Sequence, residues 1–250
     1  MTGDLALATE ILAAACGGRL RIDLPMAPLT TFRIGGPAAL YLEPEDERDL
    51  AAAAEAIVRA HLPYTVLGKG SNVLVADEGF PGLVLRLGKG FRWSAREGTV
   101  LTAGGAMPLP ALAGIALHHA LAGFAFAIAI PASLGGAVRM NAGAHGSTMS
   151  DVVETVDVFH LTGAGRATIH GGDAGFAYRH SALPPDAVVI GARLALAAGE
   201  PEEIRARMDE ARRWRRETQP PDRPQISLLP CPARSSSGSV RTNRRGCNSR

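Results

Sequence analysis

The segment from Ile130 to Gly146, IPASLGGAVRMNAGAHG, is the densest run of turn-forming and small residues in this chain. It carries four glycines and several other small residues without a helix or strand period, which predicts a long, specific loop containing one helical turn. Small side chains would let a flat ligand lie against the backbone. A packing loop beneath a helix is the alternative, but the length and composition of the loop favour ligand contact.

A second glycine-rich stretch, Gly68 to Asn72 (GKGSN), follows a short apolar strand. Backbone N–H groups in such a turn can converge on an anion, and Ser71 and Asn72 would add side-chain donors. The glycine spacing fits neither a P-loop nor a Rossmann fingerprint. Pyrophosphate binding and a simple tight turn between two strands both remain open from this motif alone.

The third stretch is Phe176 to Ser181, FAYRHS. Arginine presents a planar, permanently charged fork of donors that suits a carboxylate or a phosphate. A surface Arg179 stacked on Tyr178 is the alternative reading of this cluster.

Hydrophobic periodicity and turn residues predict the order of elements around these motifs. We expect Gly123 to end the helix predicted at 108–121 with a left-handed cap. The predicted helices are 1–20, 46–61, 108–121 and 201–218. The predicted strands are 39–43, 64–67, 73–76, 83–87, 99–103, 152–161, its hairpin partner 166–170, and 187–196.

Composition excludes several classes of protein. The 250 residues are 46% hydrophobic and 20% charged, typical of a globular chain. Residues 221–250 hold six arginines and one aspartate against an overall charge of only +2, so the body is mildly acidic and we expect no nucleic-acid surface on it. We expect no membrane span, because glycines, a proline and two histidines interrupt the most apolar window, 111–134. We also expect no metal site and a cytoplasmic protein, because no CxxC, HExxH or signal-peptide pattern occurs.

Taken in order, these motifs resemble one family, the UDP-N-acetylenolpyruvoylglucosamine reductases (MurB, or UDP-N-acetylmuramate dehydrogenases) of peptidoglycan synthesis. The resemblance rests on TTFRIGGP at 30–37, LGKGSNVLV at 67–75, the 130–146 segment, YRHS at 178–181 and a helix ending RWRRETQP at 213–220. It implies an α+β, two-subdomain FAD-binding fold of the vanillyl-alcohol-oxidase (PCMH) type, with the C-terminal substrate domain largely missing.

The resemblance also implies the chemistry: noncovalent FAD, NADPH as reductant, and UDP-N-acetylglucosamine enolpyruvate as the substrate that becomes UDP-N-acetylmuramate. Arg179 and Ser239 would be catalytic, with Ser239 as proton donor, and Tyr178 and Arg179 would bind the substrate. The implied cofactor-binding residues are Arg33, Gly68, Lys69, Gly70, Ser71, Asn72, Ile130, Pro131, Ser133, Gly135, Gly136, Asn141, Gly143, His145 and Gly146.

The expected organisation has five parts. These are an N-terminal helix (1–22), a first FAD-binding subdomain (23–95), a second one (96–199), a connecting helix (200–220), and a disordered or aberrant tail (221–250) in place of the substrate-binding domain. The abrupt change of composition near residue 220 suggests a truncated or frame-shifted reductase in which the family's catalytic Glu has no counterpart, and for such a chain we expect flavin binding with poor or absent turnover. The serine-rich sequence at 236–243 partly matches the serine motif of the family, so Ser239 is either the proton donor or a chance match.

Two alternatives stay open from the sequence: a catalytically inactive flavin-binding remnant, and another FAD oxidoreductase on the same fold. The sequence does not indicate an oligomeric state.

Overall fold

The computed structural model describes residues 3–163 and 165–218. Its five α-helices, in chain order, are α1 (Leu5–Cys16), α2 (Glu47–Arg59), α3 (Leu109–His118), α4 (Leu134–Arg139) and α5 (Pro201–Thr218). Its strands are β1 (Leu20–Pro25), β2 (Pro37–Leu42), β3 (Tyr64–Val66), β4 (Phe80–Leu85), β5 (Ser94–Glu97), β6 (Val100–Gly104), β7 (Leu121–Ala122), β8 (Gly143–Ala144), β9 (Ser147–Thr148), β10 (Val153–His160), β11 (Gly165–His170), β12 (Ala187–Ala195) and β13 (Ala197–Ala198). None of the described helices is long and apolar enough to cross a bilayer.

Two sheets form the frame of the molecule. The first has the order β1-β2-β4-β3, with β2, β4 and β3 parallel and β1 antiparallel at its edge. The second is fully antiparallel, in the order β11-β10-β12-β6-β5. The parallel part requires a crossover connection, and α2 supplies it between β2 and β3. The predicted α+β class and the predicted hairpin of 152–161 with 166–170 are confirmed.

Amphipathic helices cover the first sheet. Helix α2 begins at Asp46, whose side chain accepts hydrogen bonds from the N–H groups of Arg48 and Asp49. Its buried stripe includes Leu50, Ala53 and Ile57, which face the sheet. The same hydrophobic cluster also contains Phe159 and Leu161 from the second sheet. The two sheets therefore share this cluster, while a separate cluster that includes Leu101, Val156 and Leu194 packs against the second sheet alone.

The structure corrects several sequence-based boundaries. Residues 73–76 form no strand; instead the carbonyl of Ala76 accepts hydrogen bonds from the N–H groups of Gly36 and Gly79. Helix α3 ends at His118, and Ala120, with φ +54°, takes the left-handed position that we expected at Gly123. The expected division between 95 and 96 falls inside β5, which pairs wholly with β6 in the second sheet. Strands β1 and β5 were not predicted.

Candidate functional site

The loop after β3 carries a run of unused backbone donors. The structure records no acceptor among the described residues for the N–H groups of Gly68, Lys69, Gly70 and Ser71. Gly70 is buried and has φ +67°, and a Cβ built there would overlap the carbonyl of Leu29. Successive free N–H groups in a glycine turn form a concave anion-binding nest. Asn72 already has an interaction within the protein.

The segment 30–36 lies against this loop. Thr31 donates its N–H to the carbonyl of Gly70 over 2.9 Å. Thr30 is buried; its hydroxyl donates to the carbonyl of Ala27 and accepts the N–H of Arg33, both at 3.2 Å. Arg33 is therefore fixed beside the nest by its backbone, with φ +55° and an exposed side chain. Sequence reasoning selected Arg33 but missed Thr30, which orients it.

The 130–146 segment reaches the same place from the second sheet. Ser133 is buried at the start of α4, and a Cβ on Gly68 would stand 2.9 Å from its hydroxyl oxygen. The N–H groups of Leu134 and Gly135 donate to the carbonyls of Met107 and Gly105. The N–H groups in the first turn of α4 thus all have acceptors within the protein. This segment therefore offers a ligand a surface of small residues rather than free N–H donors.

Arg139 and Asn141, at the end of α4, hold a second loop. The Arg139 guanidinium donates to the carbonyls of Leu183 and Pro184, each at 2.9 Å, and of Pro185 at 3.2 Å. Burial holds the pKa of Arg139 below its usual value. Asn141, which is 6% exposed, donates from Nδ2 to the carbonyl of Ala177 over 3.0 Å. Sequence reasoning missed Arg139 because a helical arginine gives no sign of such distant acceptors.

Tyr178 and Arg179 occupy the tip of that loop. Ala177 and His180 exchange two backbone hydrogen bonds, of 3.0 and 3.1 Å, which leaves only these two residues in the turn. Tyr178 is 92% exposed, and the guanidinium carbon of Arg179 lies 5.9 Å from the centre of its ring. This is the stacked surface geometry that we named as the alternative, on a turn that Asn141 anchors.

His145 lies apart from the nest, against α5. Its ring meets that of Trp214 edge to face, with the centroids 5.0 Å apart. Arg215 of the same helix donates to the carbonyl of Ala129, just before the 130–146 segment begins. Helix α5 therefore secures both ends of the segment. His145 also lines a cavity of about 510 Å³ beside α5, whose lining includes Glu203, Ile204 and Arg207 but neither Gly68 nor Arg179.

The other expected residues fall into three groups. Gly143 pairs with Thr148 in the β8–β9 hairpin, and Gly146, with φ +78°, lies in its turn. Ile130 and Gly136 are half-buried, whereas Lys69 and Pro131 are exposed. Ser239 and the rest of the tail lie outside the described residues. Among the residues that the structure describes, no group of three or more His, Cys, Asp or Glu could hold a metal.

Four of the expected site residues have a strained backbone. Seven described residues other than glycine have a positive φ, and the expected site residues among them are Arg33, Asn141, His145 and Arg179. Such conformations are costly and cluster where function requires a fixed geometry. Together with the glycine nest, they fit a dinucleotide cofactor: a pyrophosphate needs converging N–H donors, and a flat ring needs a surface free of side chains.

Comparison with known proteins agrees with this geometry. Residues 38–167 match the family model described as an FAD binding domain. The chain is 42% identical over 218 residues to the UDP-N-acetylenolpyruvoylglucosamine reductase of Azorhizobium caulinodans, covering 87% of this chain and 70% of that protein. It is 44% identical over 197 residues to the one of Heliobacterium modesticaldum, covering 78% of this chain and 62% of that protein.

Solved structures show the same fold. The reductase (MurB) of Thermus caldophilus superposes with a TM-score of 0.70 at 38% identity, covering 79% of this chain and 70% of that one. A BBE-like protein of Physcomitrella patens, at 14% identity and a TM-score of 0.53, shares the fold alone, over 76% of this chain and 44% of that one. By these relatives and its FAD binding domain, the chain belongs to the UDP-N-acetylenolpyruvoylglucosamine reductase family of FAD-dependent oxidoreductases.

Proposed function

We propose that this chain binds FAD noncovalently between the 30–36, 68–72 and 130–136 segments. There it would reduce UDP-N-acetylglucosamine enolpyruvate to UDP-N-acetylmuramate with NADPH. The observation that carries the proposal is the nest itself: four consecutive N–H groups, Gly68 to Ser71, have no acceptor in the described chain and adjoin buried Ser133. Because both substrates are soluble nucleotides, we place the reaction in the cytoplasm.

The nest would receive the cofactor's pyrophosphate. Its N–H groups supply partial positive charge where two phosphates concentrate negative charge, and the exposed ammonium of Lys69 adds a cation beside them. The N–H groups at the start of α4 are already hydrogen-bonded within the protein. Ser133, Gly135 and Gly136 would therefore form the wall against which the cofactor lies. When bound, FAD supplies the hydride chemistry that no side chain can perform.

Arg179 would act on the substrate. Its guanidinium can pair with the enolpyruvyl carboxylate and stabilise the negative charge that develops as the double bond accepts a hydride. Tyr178, its neighbour in the turn, offers a phenol donor to the same group. The proton that completes the reduction would come from Ser239, which lies outside the described residues, so that role rests on the resemblance alone.

A two-stage flavin experiment tests the proposal. The FAD-loaded protein is reduced anaerobically by NADPH and then mixed with UDP-N-acetylglucosamine enolpyruvate, while flavin absorbance is followed in a stopped-flow instrument. The proposed reaction requires the oxidised band to return in the wild type after the sugar nucleotide is added. Because Arg179 acts only on the second stage, Arg179→Ala should slow it by about 100-fold or more and leave the NADPH stage unchanged.

A flavin that stays reduced in the wild type until oxygen enters would contradict the proposed reaction and identify a flavin-binding protein without turnover. Tyr178→Phe is the matched variant, since it keeps the ring beside Arg179 and removes only the hydroxyl.

A further inference from the structure

The hydrogen bonds beneath the Tyr178–Arg179 turn give a second role to a residue that we expected to contact the cofactor. We propose that Asn141 is a positioning residue for Arg179, which holds the turn that presents the guanidinium and leaves FAD to other groups. The inference rests on the proposed function, in which Arg179 receives the carboxylate of the substrate.

The side chain of Asn141 is already engaged at both ends. Nδ2 donates to the carbonyl of Ala177 over 3.0 Å, and Oδ1 accepts the N–H of Ser150 over 2.9 Å. The residue is 6% exposed, so little of it can meet a ligand. Its φ of +40° lies in the left-handed region, which asparagine tolerates better than most residues. Both the conformation and the contacts favour a structural bridge from Ser150 to the turn.

The bridge ends where the turn closes. The carbonyl of Ala177 accepts one hydrogen bond from His180 and a second from Asn141, and these fix the first leg of the turn. On the other leg, the Ser181 hydroxyl donates to the carbonyl of Arg139 over 2.8 Å. Arg139 is the last residue of α4, and Asn141 follows it by two residues. The turn is thus held on both legs by the segment that also forms the cofactor wall.

Removing the Asn141 hydrogen bond should make the Tyr178–Arg179 turn mobile without unfolding the segment around Ser133. Without the Asn141 donor, the carbonyl of Ala177 keeps only its hydrogen bond from the N–H of His180. The turn could then move about the hydrogen bond of the Ser181 hydroxyl. Arg179 would then sample orientations that do not face the substrate. The cofactor contacts, which lie on the 68–72 loop and around Ser133, would be unchanged.

The test uses Asn141→Asp in the full chain. Aspartate keeps the size, the positive φ and the acceptor for Ser150, but it turns an oxygen toward the Ala177 carbonyl. We expect amide hydrogen exchange at Ala177 and His180 to rise at least tenfold. The Kd for FAD should stay within threefold, while the Kd of UDP-N-acetylglucosamine enolpyruvate for the oxidised holoprotein, read from the flavin absorbance shift, should rise about tenfold. In an Arg179→Ala background, Asn141→Asp should add nothing to that loss.

Ser150→Ala is the matched control, because it keeps the main-chain N–H that Asn141 accepts and should leave every readout unchanged. Unaltered exchange at the turn would overturn the proposal. So would a Kd for FAD more than tenfold weaker with the turn still protected, since Asn141 would then be a cofactor ligand. A wild type that binds neither FAD nor the sugar nucleotide contradicts the proposed function alone, and the exchange experiment still decides whether Asn141 holds the turn.

Discussion

The Ser133 hydroxyl stands 2.9 Å from the point that a Cβ on Gly68 would occupy. Two glycine-rich segments, one after β3 and one at the start of α4, therefore meet so closely that a methyl group on Gly68 would force a shift of the Ser133 side chain. The contact joins two of the segments between which we propose that FAD binds.

Gly68→Ala should weaken FAD binding about tenfold, because the new methyl group presses on Ser133 and moves the nest away from the cleft wall. In a Ser133→Ala background the same change should cost less, since the oxygen that it strikes is gone. Quenching of flavin fluorescence gives the four dissociation constants. Strictly additive effects would show that the two segments do not meet as described. Gly98→Ala is a useful reference, because that glycine has φ +58° but nothing within 4 Å of its Cβ position.

Trp214→Ala should also weaken FAD binding, by severalfold, because the ring that packs on His145 secures one end of the 130–146 segment. Trp214→Phe should retain most of the affinity, since an aromatic edge-to-face contact remains possible. Arg212→Ala, on the same helix, removes only a pair with Asp209 on the exposed surface and should have no effect. If Trp214→Ala and Trp214→Phe lost the same FAD affinity, the aromatic contact with His145 would not be what supports cofactor binding.

Asp49 should make the free energy of unfolding depend on pH. Burial alone would raise its pKa, but the N–H of Glu45 at 2.8 Å and the guanidinium of Arg19 at 2.6 Å outweigh burial and hold the pKa below its usual value. As pH falls, the unfolded chain binds this proton first. The stabilisation is therefore complete above pH ~4 and is lost as pH falls through the lower folded pKa.

We expect Asp49→Asn to reduce the free energy of unfolding by about 1–3 kcal/mol at pH 7 and by progressively less from pH 4 downward. Urea denaturation across this range measures it. Asp209→Asn, at an exposed pair, should change little at any pH. A constant difference between Asp49→Asn and wild type down to pH 2 would contradict the assignment.

Cys16 should resist thiol reagents while the protein is folded. It is 1% exposed at the end of α1, and burial together with the nearby charge of Asp49 raises its pKa to about 11. The thiolate is the reactive form, so at pH 8 very little of it exists. Peptide mapping after iodoacetamide treatment should find Cys16 unlabelled in the native protein and labelled in urea. Rapid native labelling at that peptide would show that the end of α1 opens locally.

The sequence predicted the long elements and the motifs well, because periodicity over eight or more residues identifies a buried face directly. Helix α2 and strands β10 and β12 are examples. The short polar strand β5 escaped because SARE has no apolar alternation, and its pairing with β6 is the only reason it is a strand. Residues 73–76 mislead in the opposite way, since their apolar run packs against Gly35 and Gly36 outside any sheet.

The sequence identified the loops that form the site, but it could not predict how those loops lie relative to one another. Motif spacing says that Gly68 and Ser133 both matter, yet only the fold brings them into contact. Nor could spacing separate Asn141, whose side chain is occupied within the protein, from residues whose donors are free. That distinction depends on acceptors such as the carbonyl of Ala177, 36 residues further along the chain.

The core shared by the two sheets has a consequence for how the chain is made. Leu50 and Leu83 pack in one cluster with Phe159 and Ile190, so the first sheet cannot finish burying its apolar face until the strand ending at Ala195 has left the ribosome. At a synthesis rate of about 5–20 residues per second, the roughly 100 residues between β4 and β12 take about 5–20 s. Throughout that interval the nascent first half presents an uncovered surface, which makes it a natural client for chaperones that bind exposed apolar segments.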